Sequence, residues 1–180
     1  RQFSLRVDEE GRPRIYDHEK ERIRAGLPRP RKSDDEQLVA RARADWKVVR
    51  KDVKAALRVQ RTRLEEALTH QRRWEAGVWR TYLADHPLMG HLVTHLLWGA
   101  WTRRGPLQFC FRVAADRTLA DRHDEEISLQ GHPVKIGLVH PLDLSPAELQ
   151  GWASLFGEYE LVPPFAQLDR RVFSVEQEEP

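Results

Sequence analysis

A chain of 180 residues fits one domain with a substantial core, because a protein of this size buries about 70% of the surface that its unfolded chain exposes. Its single cysteine, Cys110, excludes an internal disulfide and favours a reducing, cytoplasmic location. The formal net charge is only +2, but residues 1–80 carry 22 Lys and Arg against 14 Asp and Glu, whereas residues 81–180 carry 8 against 14. This asymmetry predicts either a polyanionic partner or docking of the two oppositely charged halves on each other.

No apolar run approaches the roughly 20 residues that a membrane-spanning helix needs, so we predict no membrane span. The chain starts at Arg1 and not at a methionine, so we expect a piece of a longer, multidomain protein.

Residues 1–32 predict a short hairpin followed by a connector. Apolar and polar residues alternate over residues 3–7, a turn is expected at Glu10-Gly11, and Ile15-Tyr16 gives the return strand. Residues 17–32 are charged and interrupted by glycine and proline, which is typical of a connector.

A long helix is predicted from Ser33 to about residue 70. Ser33 can cap its start and Glu36 can reach back to complete a capping box. At 1.5 Å per residue the helix would be roughly 55 Å long, so we expect part of it to project or to pack against another domain. An apolar stripe at spacings of three and four comprises Leu38, Ala42, Trp46, Val49, Val53, Leu57, Leu64 and Leu68.

A second stripe on the same helix is entirely basic. We call this set the basic stripe: Arg43, Lys47, Arg50, Lys54, Arg58 and Arg61. Like charges at these spacings cost an isolated helix about 0.2 to 0.5 kcal/mol per pair, so five neighbouring pairs represent about 1 to 2.5 kcal/mol that a counter-charge would recover. The basic stripe predicts a phosphate-tracking surface for nucleic acid, or else a flank that faces solvent or the acidic second half. Aromatic residues for base stacking are not interleaved with it, because Trp46 falls on the apolar stripe.

Two further helices complete a predicted helical part over residues 33–102. Apolar residues recur at helical spacing over Trp74–Asp85, which predicts a short helix. The most apolar run of helix length, Asp85–Trp101, predicts another, with Leu92, Leu96 and Ala100 on its core face.

In residues 103–180 the spacing of the apolar residues changes from that of a helix to every second position. Alternation over Leu107–Val113 predicts a strand with one apolar face, and strands at Ile127–Leu129 and Val134–Leu138 would complete a three-stranded antiparallel meander. Arg171–Val175 is a candidate last strand.

One helix follows the meander. Ser145 and Glu148 form a capping box with Pro146 at the first helical position, and Gly157 is predicted to close the helix. The predicted fold class is therefore α+β: a helical N-terminal half with one long helix, then a small antiparallel sheet with a capped helix.

Three histidines around the apolar run are the candidates for a metal site. His91 and His95 are one helical turn apart and His86 precedes them, a spacing that zinc ligands use. Leu92 stands where the helix of a zinc protease would carry its glutamate base, so the sequence departs from that motif. We predict no metal; the alternative for this pair is a polar strip that another element covers or that faces water.

The other residues of types that can bind metals or act as nucleophiles do not predict a catalytic or metal site. The segment Asp121–Glu126 is rich in ligand types but is predicted to be a solvated loop, and Cys110 with His140 would make a dyad only if the cysteine were activated. No glycine motif for phosphate or for a nucleophile elbow occurs. We therefore predict no catalytic residues and no cofactor, which favours a protein that is not an enzyme.

Three stretches resemble a known family. They are R-L-E-E-A-L-T-H-Q-R-R-W from Arg63, L-A-D-H-P-L-M-G-H-L-V-T-H-L-L-W-G-A-W from Leu83 and H-P-L-D-L-S-P-A-E-L-Q-G-W-A-S-L-F-G-E-Y-E-L from His140. The chain resembles the bacterial domain of unknown function 4132, found in MolR (molybdate metabolism regulator)-like proteins, often downstream of a WGR domain. The family ending usually reads Q-P-F-P-Q-L-G-R, from which Val162–Arg170 departs at several positions. The resemblance implies no catalytic residues, and the WGR association favours a polyanion partner only by analogy.

Three hypotheses of function follow. The first is a non-catalytic regulatory or interaction module of a larger cytoplasmic bacterial protein, which contacts other domains of that protein or a protein partner and no membrane. The alternative is a nucleic-acid-binding module that uses the basic stripe. The third is a metal-dependent enzyme that uses the His91 and His95 pair.

Overall fold

The structure, a computed structural model, describes residues 2–8, 11–103 and 105–172. It contains one long helix, one helix of ordinary length and two antiparallel sheets, which confirms the predicted α+β class. Within these residues no helix is both long and apolar enough to cross a membrane.

The N-terminal sheet has one strand more than predicted. It contains β1 (Phe3–Val7), β2 (Pro13–Asp17) and β3 (Arg22–Arg24), in that order and antiparallel. The β1–β2 hairpin is confirmed, and Gly11 has a φ of 72° in its turn, although Glu10 lies outside the described residues. The expected connector instead begins with β3, because the buried carboxylate of Asp17 accepts a hydrogen bond from Arg24 Nε at 3.0 Å.

The long helix α1 spans Glu36–Thr69, which confirms the predicted element. Its length is about 51 Å, close to the roughly 55 Å expected. Its N-cap is Asp35 and not Ser33. The Asp35 carboxylate accepts hydrogen bonds from the backbone amides of Gln37 and Leu38, at 2.8 and 3.0 Å. An aspartate at this position both caps the free amides and places negative charge at the positive end of the helix dipole.

Only the second half of α1 belongs to the main hydrophobic core. Leu64 and Leu68 are 3% and 1% exposed, whereas Leu38 on the same stripe is 66% exposed. The helix also contacts β2 of the N-terminal sheet, and Val53 in its middle is buried. The apolar stripe therefore marks a core-facing surface over the second half of the helix and leaves its first turns uncovered in the described part of the chain.

Of the two helices predicted after α1, the first is largely confirmed, because α2 (Ala76–Trp79) continues as a π-helical turn (Arg80–Ala84) that ends at Asp85. The strand β4 (Arg73–Glu75) precedes it. The second predicted helix is largely wrong, because only α3 (Met89–Val93) is helical and the segment ends in β5 (Trp98–Thr102). The run Asp85–Trp101 is thus one helical turn followed by a strand. The predicted core residues Leu92, Leu96 and Ala100 are nevertheless all buried.

The second sheet has six strands in the order β4-β9-β5-β6-β7-β8. Its remaining strands are β6 (Leu107–Val113), β7 (Leu119–Ala120), β8 (Glu126–Ile127) and β9 (Val134–Leu138). The predicted three-stranded meander is wrong at both steps. The strand β7 lies between β6 and β8, and β9 pairs with β5 and β4 instead of β8. Val134, Ile136 and Leu138 are all buried, and a strand this apolar is best accommodated inside the sheet.

The last helix, α4 (Pro146–Glu158), confirms the predicted capping box. Ser145 Oγ accepts from the Glu148 amide at 3.3 Å, and Glu148 accepts from the Ser145 amide at 2.8 Å. The helix continues one residue past Gly157. Its residues Trp152, Leu155 and Phe156 form a second apolar cluster with Leu97, Trp101 and Val139. Of the candidate last strand, Arg171 and Val172 are not in a strand, and residues 173–175 lie outside the described residues.

Candidate functional site

All six side chains of the basic stripe are exposed to solvent. Between Arg43 and Arg61 they extend over about 27 Å of α1. At 100° per residue, the basic stripe lies about a quarter of a turn away from the buried face that contains Val53 and Leu64. The helix therefore has one flank against the protein and an adjacent flank of continuous positive charge in water.

No acidic side chain in residues 2–8, 11–103 or 105–172 forms an ion pair with the basic stripe. In the second half of the chain, Asp124 instead pairs with Arg112 at 2.6 Å and Asp85 with Arg80 at 2.9 Å. Within the described residues, the two oppositely charged halves therefore do not dock through this surface. The repulsion between its cations is not offset by contacts within those residues.

A shallow depression of about 440 Å³ lies at the centre of the basic stripe. Its lining consists of Arg43, Trp46, Lys47, Arg50, Lys51 and Lys54. Lys51 is outside the predicted set, although it lies four residues after Lys47 and three before Lys54 and so adjoins the basic stripe.

The indole of Trp46 is half-buried and belongs to neither of the two apolar clusters. A Cβ atom added at Gly26 would lie 3.5 Å from Trp46 Nε1, so the N-terminal connector supports that side of the ring. The sequence places Trp46 on the apolar stripe, but the folded chain brings its ring to the border of the two stripes, where it lines the basic depression. One aromatic residue is therefore interleaved with the cations after all.

The candidate metal ligands are engaged in local hydrogen bonds. His95 Nδ1 lies 2.8 Å from the carbonyl oxygen of His91, and His86 Nδ1 accepts from the amides of Leu88 and Met89, both at 3.2 Å. The rings of His91 and His95 are 5.0 Å apart. Among the described residues, no three or more histidine, cysteine, aspartate or glutamate side chains are placed to hold a metal ion.

The N-terminal hairpin covers His91. A Cβ atom added at Gly11 would lie 2.7 Å from His91 Nε2, so the turn between β1 and β2 rests on the imidazole ring. This contact corresponds to the predicted alternative of a polar strip covered by another element.

Cys110 is not set up as a nucleophile. Burial, reinforced by the negative charges of Glu148 and Asp143, raises the pKa of the Cys110 thiol to about 12. The thiolate is the reactive form of cysteine, so the group is inert near neutral pH. The proposed dyad partner, His140, uses its Nδ1 to accept a hydrogen bond from the Leu142 amide at 3.2 Å.

The acidic segment Asp121–Glu126 has structural roles. Asp121 accepts hydrogen bonds from the amides of His123 and Glu125, at 2.7 and 3.0 Å, and so shapes its own turn. Asp124 pairs with Arg112 of β6 and accepts a hydrogen bond from Tyr159. These contacts leave the basic stripe as the most developed polar surface of the described chain.

The fold and this surface define an α+β domain that presents an exposed basic helix flank. The chain belongs to the family described as "Domain of unknown function (DUF4132)", whose model matches residues 22–180. It is 35% identical over 173 residues to the "Uncharacterized protein YehI" of Escherichia coli (strain K12). That match covers 95% of this chain but only 14% of the length of the relative. No solved structure matches the chain significantly.

Proposed function

We propose that this domain is a non-catalytic interaction module of a larger protein and that it binds nucleic acid through the basic stripe. The observation that carries the proposal is that all six cations are exposed and have no acidic partner among the described residues. A row of free cations releases counterions from a phosphate backbone when it binds, which is the main source of sequence-independent affinity for nucleic acid. The spacing of the row along one straight helix suits a linear polyanion.

The setting of the domain supports this proposal. The chain corresponds to 14% of the length of its E. coli relative, which fits one module among several. We propose further that the larger protein is MolR-like, that it carries a WGR domain and that it is cytoplasmic. We also propose a regulatory role, in which nucleic acid bound to this domain affects other domains of the same protein.

The test is a titration of labelled oligonucleotides followed by fluorescence anisotropy over a series of salt concentrations. We expect binding at low salt that weakens linearly on a log-log plot as salt rises. The triple variant Arg50→Gln, Lys54→Gln, Arg58→Gln should bind more weakly, and its salt slope should be shallower by about 2 to 3, because each lost phosphate contact removes about 0.7 to 0.9.

The matched control removes three exposed cations away from the basic stripe: Lys20→Gln, Arg41→Gln and Arg63→Gln. Two of these lie on the opposite side of α1. The control has the same net charge as the test variant, so it separates local contacts from overall electrostatic attraction. Equal effects of the two triple variants, or no binding by the wild-type domain at low salt, would refute the proposal.

We propose a second contact surface at the start of α1, for another domain of the same protein. Leu38 is 66% exposed, and an apolar groove of about 370 Å³ runs beside it between α1 and the connector, lined in part by Phe3, Leu27 and Pro28. A cysteine introduced as Leu38→Cys should react more slowly with a thiol reagent in the full-length protein than in the isolated domain. Equal rates would show that no other domain covers this end of the helix.

A further inference from the structure

We infer that Trp46 is a stacking platform for an unpaired base, so that the basic stripe binds single-stranded nucleic acid in preference to duplex. This inference rests on the proposed function and specifies its ligand. It is carried by the position of one indole ring among five cations on an exposed helix flank.

Trp46 differs from the other tryptophans of the chain. Four of them, Trp79, Trp98, Trp101 and Trp152, are at most 3% exposed, and each belongs to an apolar cluster. The fifth, Trp74, packs against the main cluster with its ring 6.2 Å from that of Trp98 and lies under the Arg72 guanidinium.

Trp46 belongs to neither cluster, and within the described residues its ring has no aromatic or cation–π partner. The ring is half-buried, and its accessible part borders the cations of the depression. The connector at Gly26 lies next to the Nε1 edge of the ring, and the accessible part of the indole offers an aromatic surface to a planar ligand.

The surrounding charges fit the rest of a nucleotide strand. Arg43 and Arg50 are three and four residues from Trp46 and therefore lie next to it on the helix surface. Lys47, Lys51 and Lys54 complete the same depression. A base stacked on the indole would place the phosphates on either side of it against these cations, as in proteins that combine a basic groove with aromatic platforms.

A duplex cannot use this arrangement equally well. Its bases are already stacked and paired, so Trp46 could meet only the edge of a groove, and the gain from stacking would be lost. The cations would still attract its phosphates. The expected ligand preference is therefore set by Trp46, whereas the affinity common to all nucleic acids is set by the basic stripe.

The main experiment compares Trp46→Leu with the wild-type domain in anisotropy titrations. The ligands are oligo(dT) and oligo(U) of about 20 nucleotides, a mixed-sequence duplex of equal length and an abasic strand of equal charge. We expect Trp46→Leu to weaken binding of the single strands roughly 5- to 150-fold and to leave duplex binding within about 2-fold. Removal of the bases from the strand should have the same effect as removal of the indole. The two single strands distinguish DNA from RNA as the preferred form.

Two controls keep the result specific. Tyr82→Leu removes another exposed aromatic side chain, 66% accessible and outside the basic stripe, and should leave all affinities unchanged. Trp46→Phe should recover part of the single-strand affinity, because the smaller ring still stacks. Thermal melting of each variant confirms that the fold is intact.

A second readout uses tryptophan fluorescence. Because four of the six tryptophans are buried, quenching by oligo(dT) should come mainly from Trp46 and should largely disappear in Trp46→Phe. Poly-glutamate serves as a polyanion without bases, and it should compete without quenching.

The outcomes separate the two proposals. Loss of binding in the basic-stripe variant, with single-strand affinity unchanged in Trp46→Leu and for the abasic strand, would overturn this inference and leave the proposed function standing. An equal loss of single-strand and duplex affinity in Trp46→Leu would overturn it as well. Absence of any binding by the wild-type domain would overturn both.

Discussion

The side-chain amide of Gln167 pairs with the main chain of Leu97 in both directions. Its Oε1 accepts from the Leu97 amide at 2.9 Å, and its Nε2 donates to the Leu97 carbonyl at 2.8 Å and to the Val139 carbonyl at 3.0 Å. Gln167 is fully buried. It therefore fastens the C-terminal segment to the start of β5 and the end of β9.

The variant Gln167→Leu should destabilise the domain by about 3 kcal/mol. The leucine fills the space but leaves the Leu97 amide and the Val139 carbonyl without their partner, and each unsatisfied group is costly. The Leu97 carbonyl still accepts a hydrogen bond from the Val139 amide at 3.3 Å. Urea unfolding followed by circular dichroism measures the change. The control is Gln150→Leu on the exposed side of α4, for which we expect a change within about 0.5 kcal/mol. Equal midpoints for the two variants would show that the Gln167 contacts contribute nothing to stability.

Two leucines of the apolar stripe on α1 should differ greatly in their contribution to the free energy of unfolding. Leu68→Ala removes a side chain that is 1% exposed and should cost about 2 to 5 kcal/mol, whereas Leu38→Ala removes one that is 66% exposed and should cost less than about 0.5 kcal/mol. Denaturant unfolding of both variants provides the measurement. Similar losses would mean that the first turns of α1 are packed in solution.

The close approach of Trp101 to Gly99 gives a third prediction. A Cβ atom at position 99 would lie 2.7 Å from both Leu107 Cδ1 and Trp101 Cη2, so Gly99→Ala must displace packed side chains and should cost about 1 to 3 kcal/mol. Gly77 in α2 is the matched control, because an added Cβ meets nothing within 4 Å. Gly77→Ala should be neutral or slightly stabilising, since alanine is the better helix former. The melting temperatures of the two variants should therefore move in different directions or by clearly different amounts.

The sequence predicts those parts of the fold that are determined by residues close together in the chain. The end of α1 and the capping box of α4 agree with the sequence prediction because helical spacing and capping residues act within a few residues. The strand β6 was predicted from its alternation for the same reason. The start of α1 differs, since Asp35 and not Ser33 is the N-cap. The pairing of β9 with β5 is a contact between distant segments, which no local pattern encodes.

The run Asp85–Trp101 shows why one prediction failed. Residues 98–101 are buried on both faces of β5, because Trp98 and Ala100 belong to the main apolar cluster and Trp101 belongs to the second one. A strand that is buried on both sides reads as a continuous apolar run, and periodicity cannot separate such a run from a buried helix. The basic stripe was evident from spacing, but its exposure and the proximity of Trp46 depend on which neighbours cover α1.

Cys110 should resist modification in the folded protein. Its pKa of about 12 means that almost none of the thiol is ionised at pH 8, and thiol reagents require the thiolate. Ellman's reagent should therefore react slowly with the native domain and quickly in denaturant. The rate in the native state should rise only well above pH 9. Fast native labelling at pH 8 would contradict the buried position of this thiol.

The contact between Asp124 and Tyr159 should make part of the stability depend on pH. The hydrogen bond from Tyr159, followed by that from Arg112, lowers the pKa of Asp124 below its ordinary value of 3.8. The folded state thus favours the charged carboxylate, and this contribution is present above the ordinary pKa and lost as pH falls through the lowered one. Tyr159→Phe should be less stable than the wild type at pH 7, and the difference should shrink below about pH 4. A difference that is constant down to pH 2 would argue against this contact.

The buried face of α1 and its basic flank consist of different residues, so the flank can change in sequence independently of the core. None of the basic-stripe residues belongs to an apolar cluster, and the clustered residues of the helix begin at Leu57. Substitutions along this flank can therefore accumulate at little cost to folding, one charge at a time. A domain with the same scaffold can therefore differ in the charge of this flank without losing its fold.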